Sequence, residues 1–249
     1  MRLTRVHVPG PLAAGSRQTI EGDAANHIAR VLRLQQGDAL ILFDGRGGEH
    51  AARIEELRKG AVIVAVGDRS SPQRESPLSL TLAQGVSRGE RMDWVVQKAT
   101  ELGVTRIVPV LSERTVVRLD AKQAQRKRLH WQGIAIAACE QSGRDRLPDI
   151  AEPLTLAAFL AGFLGNGNVE ARTSRVLLSP TGSLRIADLP RPDAGVVVLI
   201  GPEGGLAEAE QRAALAAGFV AARLGPRVLR TETAAVAALT LIQHRAGDL

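Results

Sequence analysis

Two short segments in the C-terminal quarter of the chain carry residue types that could hold a ligand. Val196–Ile200 is a continuous apolar run that ends in Gly201-Pro202-Glu203-Gly204-Gly205 and leads into a helical pattern. A buried strand closing in a glycine-rich turn is where open α/β sheets bind ligands. Glycines let the backbone approach a ligand closely, and the helix N-terminus that follows attracts anions. The turn lacks the G-x-G-x-x-G spacing of a dinucleotide site, and no G-K-[ST] follows it as in a phosphate loop. The second segment runs Leu224-Gly-Pro-Arg-Val-Leu-Arg-Thr-Glu-Thr-Ala234; it also follows a strand pattern and opens a helix. It sets Arg227, Arg230 and Glu232 between two apolar elements, where charge is costly unless paired or used. Either loop alone reads equally as a tight turn or a solvated loop. Two of them at strand ends point to one joint pocket.

Two further stretches carry clustered charge. Over Arg88–Gly103, Arg91, Trp94, Lys98 and Glu101 recur at helical spacing opposite an apolar stripe. Such a face is ordinarily solvated, but an exposed Trp marks an interface. Arg114, Arg118, Lys122, Arg126, Lys127 and Arg128 form a basic tract, followed by Gln141-Ser-Gly-Arg-Asp-Arg146. Spaced guanidinium and ammonium groups suit a phosphate backbone, and equally serve solubility.

The elements that must position these groups fall into two patterns. Up to residue 67 the chain reads as mostly strands, with short apolar runs at Leu3–Val8, Ala39–Phe43, Ala51–Ile54 and Ala61–Val66 separated by Gly/Asp turns. One helix is expected over Ala24–Leu32, with Asp23 as its N-cap. The division that follows is a small β domain over 1–70, a polar, proline-bearing linker over 71–77, and a second domain over 78–249. After Pro77 strands and helices alternate, which predicts an α/β fold with a mostly parallel sheet. Strands are expected at 78–82, Val104–Leu111, Val176–Leu178, Val196–Ile200 and Phe219–Leu224. Helices are expected across Met92–Leu102, with Gly103 as the C-terminal stop, and over Asp120–Glu140, Glu208–Ala217 and Thr233–Arg245. Asn166–Arg172 reads as a loop.

Composition bounds the function classes. The 249 residues carry 32 Lys+Arg against 26 Asp+Glu, a formal net charge of +6. Only four of the cations are lysines, so 28 are arginines. Arg binds phosphate bidentately, which makes a polyanion partner credible, although a GC-rich genome gives the same bias. Cys139 is the only cysteine, which excludes an intrachain disulfide and suits a reducing compartment. No signal-peptide pattern precedes Pro9, and the longest strongly apolar stretch is too short to span a bilayer. A cytoplasmic protein without membrane partner follows. The five histidines stand singly, without metal-ligand spacing, so no metal is expected.

Six stretches in register, DAANHIARVLRL, SRGERMDWVVQKATELGV, SERTVV, IAIAACEQSGR, LIGPEGG and LGPRVLRTETA, resemble the RsmE-type family of 16S ribosomal RNA uracil-N3 methyltransferases. They run from residue 23 to 234; the segment 151–195 carries no motif that matches. The resemblance implies a PUA-like β-barrel for RNA, followed by a SPOUT domain whose C-terminal chain is threaded into a trefoil knot. It implies S-adenosyl-L-methionine as cofactor, 16S rRNA in the 30S subunit as partner, and a homodimer with the active site at the subunit interface.

Residue roles follow from that resemblance together with the position of the two loops and of the basic tract. Leu199, Ile200, Gly201, Pro202, Glu203, Gly205, Leu224, Gly225, Val228, Leu229, Arg230 and Thr233 are expected to hold the cofactor, with Leu178 and Ser179 completing its wall. Arg230 and Glu232 are the candidates for handling the uracil. Arg2, Arg5, Arg30, Arg88, Arg91, Lys98, Arg114 and Arg144 are expected on RNA. A non-catalytic ribosome-binding module, an enzyme using the Gly201–Gly205 turn for a nucleotide phosphate, and a methyltransferase of another rRNA or tRNA base remain the alternatives. The absence of a phosphate-binding lysine in the turn counts against the second.

Overall fold

The computed structural model describes residues 3–164 and 173–249. Arg2 and the expected loop at 166–172 lie outside the described residues. The chain divides into two compact units, one holding the residues up to Glu75 together with Ile136–Leu147, the other Ser76–Ala135 and Pro148–Leu249.

The first unit is a five-stranded sheet. Its strands are β1 (Thr4–His7), β2 (Arg17–Glu21), β3 (Ala39–Phe43), β4 (Glu49–Arg58) and β5 (Ala61–Ser70). They lie in the order β1-β3-β4-β5-β2, antiparallel except for the parallel β1–β3 pair. Two register shifts in β4 bend it. Val6, Ile20, Leu40, Leu42, Ile54 and Val64 fill the interior. The helix expected over Ala24–Leu32 is a short α1 (Gly22–Asn26) that widens into a π-turn over His27–Val31, with Glu21 rather than Asp23 at the N-cap. Leu34 N–H reaches back to Ile28 O at 3.2 Å, and Arg33 takes φ +54° at the exit.

The second unit is a parallel sheet with helices on both faces. Its elements are β6 (Ser79–Gly85), α2 (Arg91–Glu101), β7 (Arg106–Leu111), α3 (Ala121–Ser142, which belongs to this unit up to Ala135), β8 (Asp149–Ile150), β9 (Leu154–Thr155), α4 (Leu156–Leu164), β10 (Thr173–Leu178), β11 (Leu184–Arg185), β12 (Gly195–Ile200), α5 (Glu208–Ala216), β13 (Val220–Arg223) and α6 (Thr231–Ala246). The strand order is β11-β13-β10-β12-β6-β7-β8, with β9 also on β7. Every described pairing in it is parallel. A strand buried on both faces must be apolar throughout, and all six residues of β12 are buried. Alternate residues serve opposite cores. Val196, Val198 and Ile200 join Leu80, Leu82, Val96 and Leu239 on one side; Val197 and Leu199 join Leu160, Leu177 and Phe219 on the other. Each such side chain contributes about 1.5–3 kcal/mol by leaving water.

The unexpected elements have identifiable causes. In β2 only Ile20 is buried, so no apolar alternation announces the strand. In α4, LAAFLAGFL is apolar all round and shows no helical period.

Among the described residues no helix is long and apolar enough to cross a membrane. None of their His, Cys, Asp and Glu side chains gather in a group of three that could hold a metal ion.

Candidate active site

Three adjacent strands, β13, β10 and β12, point their carboxyl ends the same way, and the loops that leave them enclose a cavity of about 680 Å³. That is the size of a small-molecule site, at the end of a parallel sheet where ligands bind. Leu178, Ser179 and Thr181 come from the end of β10; Ile200–Leu206 from β12; and Leu224, Gly225 and Arg227–Glu232 from the loop between β13 and α6. Arg91 of α2 and Arg114, beyond β7, reach the same space.

The loops interlock by backbone approach and by one buried side-chain relay. Gly85, ending β6, lies so near the next loop that a Cβ there would stand 2.3 Å from Pro202 N. Gly205 turns the loop with φ +69°, a conformation that favours glycine. Gln84, fully buried, donates Nε2–H to Thr231 Oγ1 at 2.9 Å. The Thr231 hydroxyl in turn donates to Gly201 O at 2.7 Å. One threonine thus ties the ends of β6 and β12 to the start of α6.

Charge gathers at one side of the cavity. Arg91 Nη1 is 2.7 Å from Glu203 Oε1, and its Nε is 3.9 Å from Glu232 Oε1. Glu203 Oε1 also accepts the Arg88 N–H at 3.0 Å. Burial alone would raise the Glu203 carboxyl, but hydrogen bonds from its own backbone and from Arg88, together with the Arg91 guanidinium, hold it below the usual carboxylate value. Glu232 Oε2 is buried with no hydrogen-bond partner among the described residues, on a side chain that lines the cavity. Buried polar atoms are ordinarily satisfied, so an orphaned acceptor on a cavity wall suits a ligand that donates. Arg227 and Arg230 are exposed on the same loop.

The structure sorts the expected site residues. Leu178, Ser179, Ile200, Gly201, Pro202, Glu203, Gly205, Leu224, Gly225, Val228, Leu229, Arg230 and Glu232 meet at the cavity. Leu199 and Thr233 do not line it. Leu199 is fully buried and points to the core on the opposite side of the sheet from Ile200. Thr233 is exposed because α6 starts two residues earlier than expected, turning Thr231 inward instead. Thr231 is a cavity-lining residue that sequence reasoning did not single out. A hydroxyl at the first position of an alanine-rich helix was its only signal.

The expected RNA contacts divide further. Arg30 and Arg88 are exposed, while Arg91 and Arg114 are exposed at the cavity. Lys98 Nζ is held by both carboxylate oxygens of Glu101, at 2.9 and 3.0 Å. Arg5 and Arg144 are 6% and 4% exposed, which removes them as RNA contacts. Arg5 pairs with Glu49 and reaches Arg144 O, and Arg144 pairs with Glu75 at 2.8 Å. Burial pushes the Cys139 thiol up to about 12, so it supplies no thiolate at neutral pH.

Comparison with known proteins agrees with this architecture. A family model described as an RNA methyltransferase domain matches residues 74–243, and one described as an RNA methyltransferase PUA domain matches residues 20–67. The chain is 31% identical over 248 residues to ribosomal RNA small subunit methyltransferase E of Buchnera aphidicola subsp. Schizaphis graminum, covering 100% of this chain and 98% of that one. It is 32% identical over 231 residues to the protein of that name from Bacillus subtilis, covering 91% and 90%. Among solved structures, a putative methyltransferase of Legionella pneumophila in complex with bound S-adenosylmethionine superposes with a TM-score of 0.93 at 39% identity over 100% of both chains. Ribosomal RNA small subunit methyltransferase E of Neisseria gonorrhoeae, bound to S-adenosylmethionine, gives 0.90 at 36%, again over 100% of both.

Proposed function

This chain belongs to the RNA methyltransferase family that includes ribosomal RNA small subunit methyltransferase E, and from that membership we propose that it methylates N3 of a uridine in 16S rRNA, using S-adenosylmethionine. The observation that carries this reading is the cavity at the ends of β10, β12 and β13, walled by backbone and rimmed by arginine.

The residues present fit the cofactor. The volume suits a nucleoside with an amino-acid tail, and the wall offers backbone groups of Gly201, Gly205, Leu224 and Leu229 rather than a phosphate-binding lysine. Val228 is 79% exposed at this loop, an apolar side chain that a flat base would cover. When bound, S-adenosylmethionine supplies an electrophilic methyl group on a sulfonium.

The chain's own residues must then place the uridine and manage its proton. Holding the reacting atoms at about 3–3.5 Å supplies much of the acceleration. Uridine N3 is protonated at neutral pH, so an acceptor or a positive group must meet it. Glu232 Oε2 has a free acceptor site, and Arg230, at the N-cap of α6, brings a cation to stabilise charge on the uracil oxygens. Arg91 bridges Glu203 and Glu232 and keeps the rim in shape.

Small-subunit rRNA is the macromolecular partner, with Arg30, Arg88 and Arg114 as exposed contacts. A homodimer working in the cytoplasm completes the reading; its support is the family resemblance and the solvent-facing Trp94. Labelled S-adenosylmethionine with 30S particles lacking the mark should yield one labelled uridine, mapped as the N3-methyl base. Absence of transfer to any RNA would overturn the proposal.

A further inference from the structure

A block of positive charge remains outside the site. Between Ser112 and His130 the chain carries six cations, Arg114, Arg118, Lys122, Arg126, Lys127 and Arg128, against the two carboxylates Glu113 and Asp120. Two of the six are engaged locally. Arg114 Nη1 donates to Gly204 O at 3.0 Å, and Arg128 Nε donates to Ile150 O at 2.8 Å. Asp120 is occupied as the cap of α3, accepting the Gln123 N–H at 2.8 Å while its own N–H donates to Gln123 Oε1 at 3.1 Å. Arg118 is exposed in the loop before α3, and Lys122, Arg126 and Lys127 are exposed on the first two turns of that helix. None of these four carries an ion pair among the described residues.

Folding does not explain this placement. Cations in the first turns of a helix oppose its macrodipole, whose N-terminal end is already positive. Lys122 and Arg126 stand four apart on one face, where like charges repel by a few tenths of a kcal/mol. The helix tolerates both costs, and an anionic surface would reverse them. The tract also leads away from the site itself. Arg114 sits on the cavity wall, and Lys122, eight residues on, lies within about 29 Å of it along even a fully extended chain. That is the scale of several phosphates along one strand.

We propose that Arg118, Lys122, Arg126 and Lys127 form a docking surface for the phosphate backbone of the RNA flanking the nucleotide in the cavity. The inference rests on the substrate being RNA. It assigns the main phosphate-binding surface of the catalytic unit to the start of α3, with the cavity arginines left to the target nucleotide.

The test is binding to naked 16S rRNA across a salt series, with wild type and the combined Arg118→Ala, Lys122→Ala, Arg126→Ala, Lys127→Ala variant. Each phosphate contact contributes roughly 0.7–0.9 to the slope of log K against log salt, so the variant's slope should be shallower by about 3. The two half-variants, Arg118→Ala/Lys122→Ala and Arg126→Ala/Lys127→Ala, should each account for about half of that. Arg118→Lys/Arg126→Lys should keep the wild-type slope. Calorimetry with S-adenosylmethionine should give the wild-type affinity throughout, showing an intact cavity. An unchanged slope in the combined variant overturns the proposal. So does lost affinity for 30S particles with unchanged binding to naked rRNA, which would make the partner a ribosomal protein. Failure of the wild type to bind or methylate RNA would instead overturn the functional reading.

Discussion

The two units use arginine in opposite ways. In the first, Arg5 and Arg144 are withdrawn from water and paired with carboxylates, Arg5 with Glu49, which Arg74 also meets at 3.1 Å, and Arg144 with Glu75. Asp145 Oδ2 accepts the Gly48 N–H at 2.7 Å, and Glu140 Oε1 accepts the His7 N–H at 3.0 Å. These contacts pin Ile136–Leu147 to the β-sheet unit. In the second unit, Arg227 and Arg230 stay exposed beside a cavity, and four more cations line the start of α3. The difference teaches which charges are structural. A buried guanidinium is costly to desolvate and must be paired, so it has no capacity left for a ligand. An exposed, unpaired one retains it.

The sharpest way to break that contrast is Arg144→Ala. It removes the bonds from Arg144 Nε and Nη2 to the Glu75 carboxylate, which keeps the Asp145 and Arg146 backbone N–H groups as its donors among the described residues. Breaking a buried pair costs about 3–5 kcal/mol, so urea unfolding should register a loss of that order. Affinity for S-adenosylmethionine, measured where the variant is still folded, should stay near wild type. A change under about 0.5 kcal/mol would show that Arg144 is not structural.

Arg230→Ala should do the reverse. Its side chain is exposed, so stability should move by less than about 0.5 kcal/mol. Turnover should fall about 100-fold, the usual cost of removing one donor that stabilises developing charge. Cofactor affinity should change by no more than about 2-fold. Single-turnover methyl transfer separates the two quantities, and an unaltered rate would remove Arg230 from the mechanism.

The same contrast shows what a sequence can display. β7 and β12 were legible because a parallel strand buried on both faces is a run of apolar residues, and β6 because Leu78, Leu80 and Leu82 alternate. The two loops that line the cavity were legible because glycine and charge recur at the ends of two separate strands, which neither loop alone would have shown. Arg5 and Arg144 were not, since their partners lie 44 and 69 residues away, and nothing local separates a buried arginine from a solvated one. Leu199 and Thr233 were misplaced by a single strand alternation and by a helix start two residues off. Sequence patterns fix such details loosely, and side-chain direction depends on them completely.

Thr231 tests that last point. Thr231→Val keeps the shape and removes the hydroxyl, leaving Gly201 O and Gln84 Nε2 short of a partner in a buried site. The expected loss is about 1–3 kcal/mol in stability. Cofactor affinity should fall about 10-fold as the loop carrying Gly201 loosens, a change of about 1.4 kcal/mol. Thr231→Ser should restore most of both. If Thr231→Val binds S-adenosylmethionine as wild type does, the relay is not what sets the loop.

The smallest effect belongs to Glu203, whose charge is neither buried like that of Glu75 nor free like that of Arg230. Its side chain is 31% exposed and its folded-state carboxyl sits below the ordinary value of 4.5. A carboxyl depressed by folding adds stability above its unfolded value, and that stability is lost as pH falls through the folded one. Solvent screening at this exposure keeps the contribution under about 1 kcal/mol. Wild type should therefore exceed Glu203→Gln by a constant, small margin from about pH 5 upward, and the margin should close below that. Thermal unfolding of both proteins between pH 3 and pH 7 reads the difference directly. A margin that widened on acidification would mean that Arg88 and Arg91 do not stabilise the ionised carboxylate.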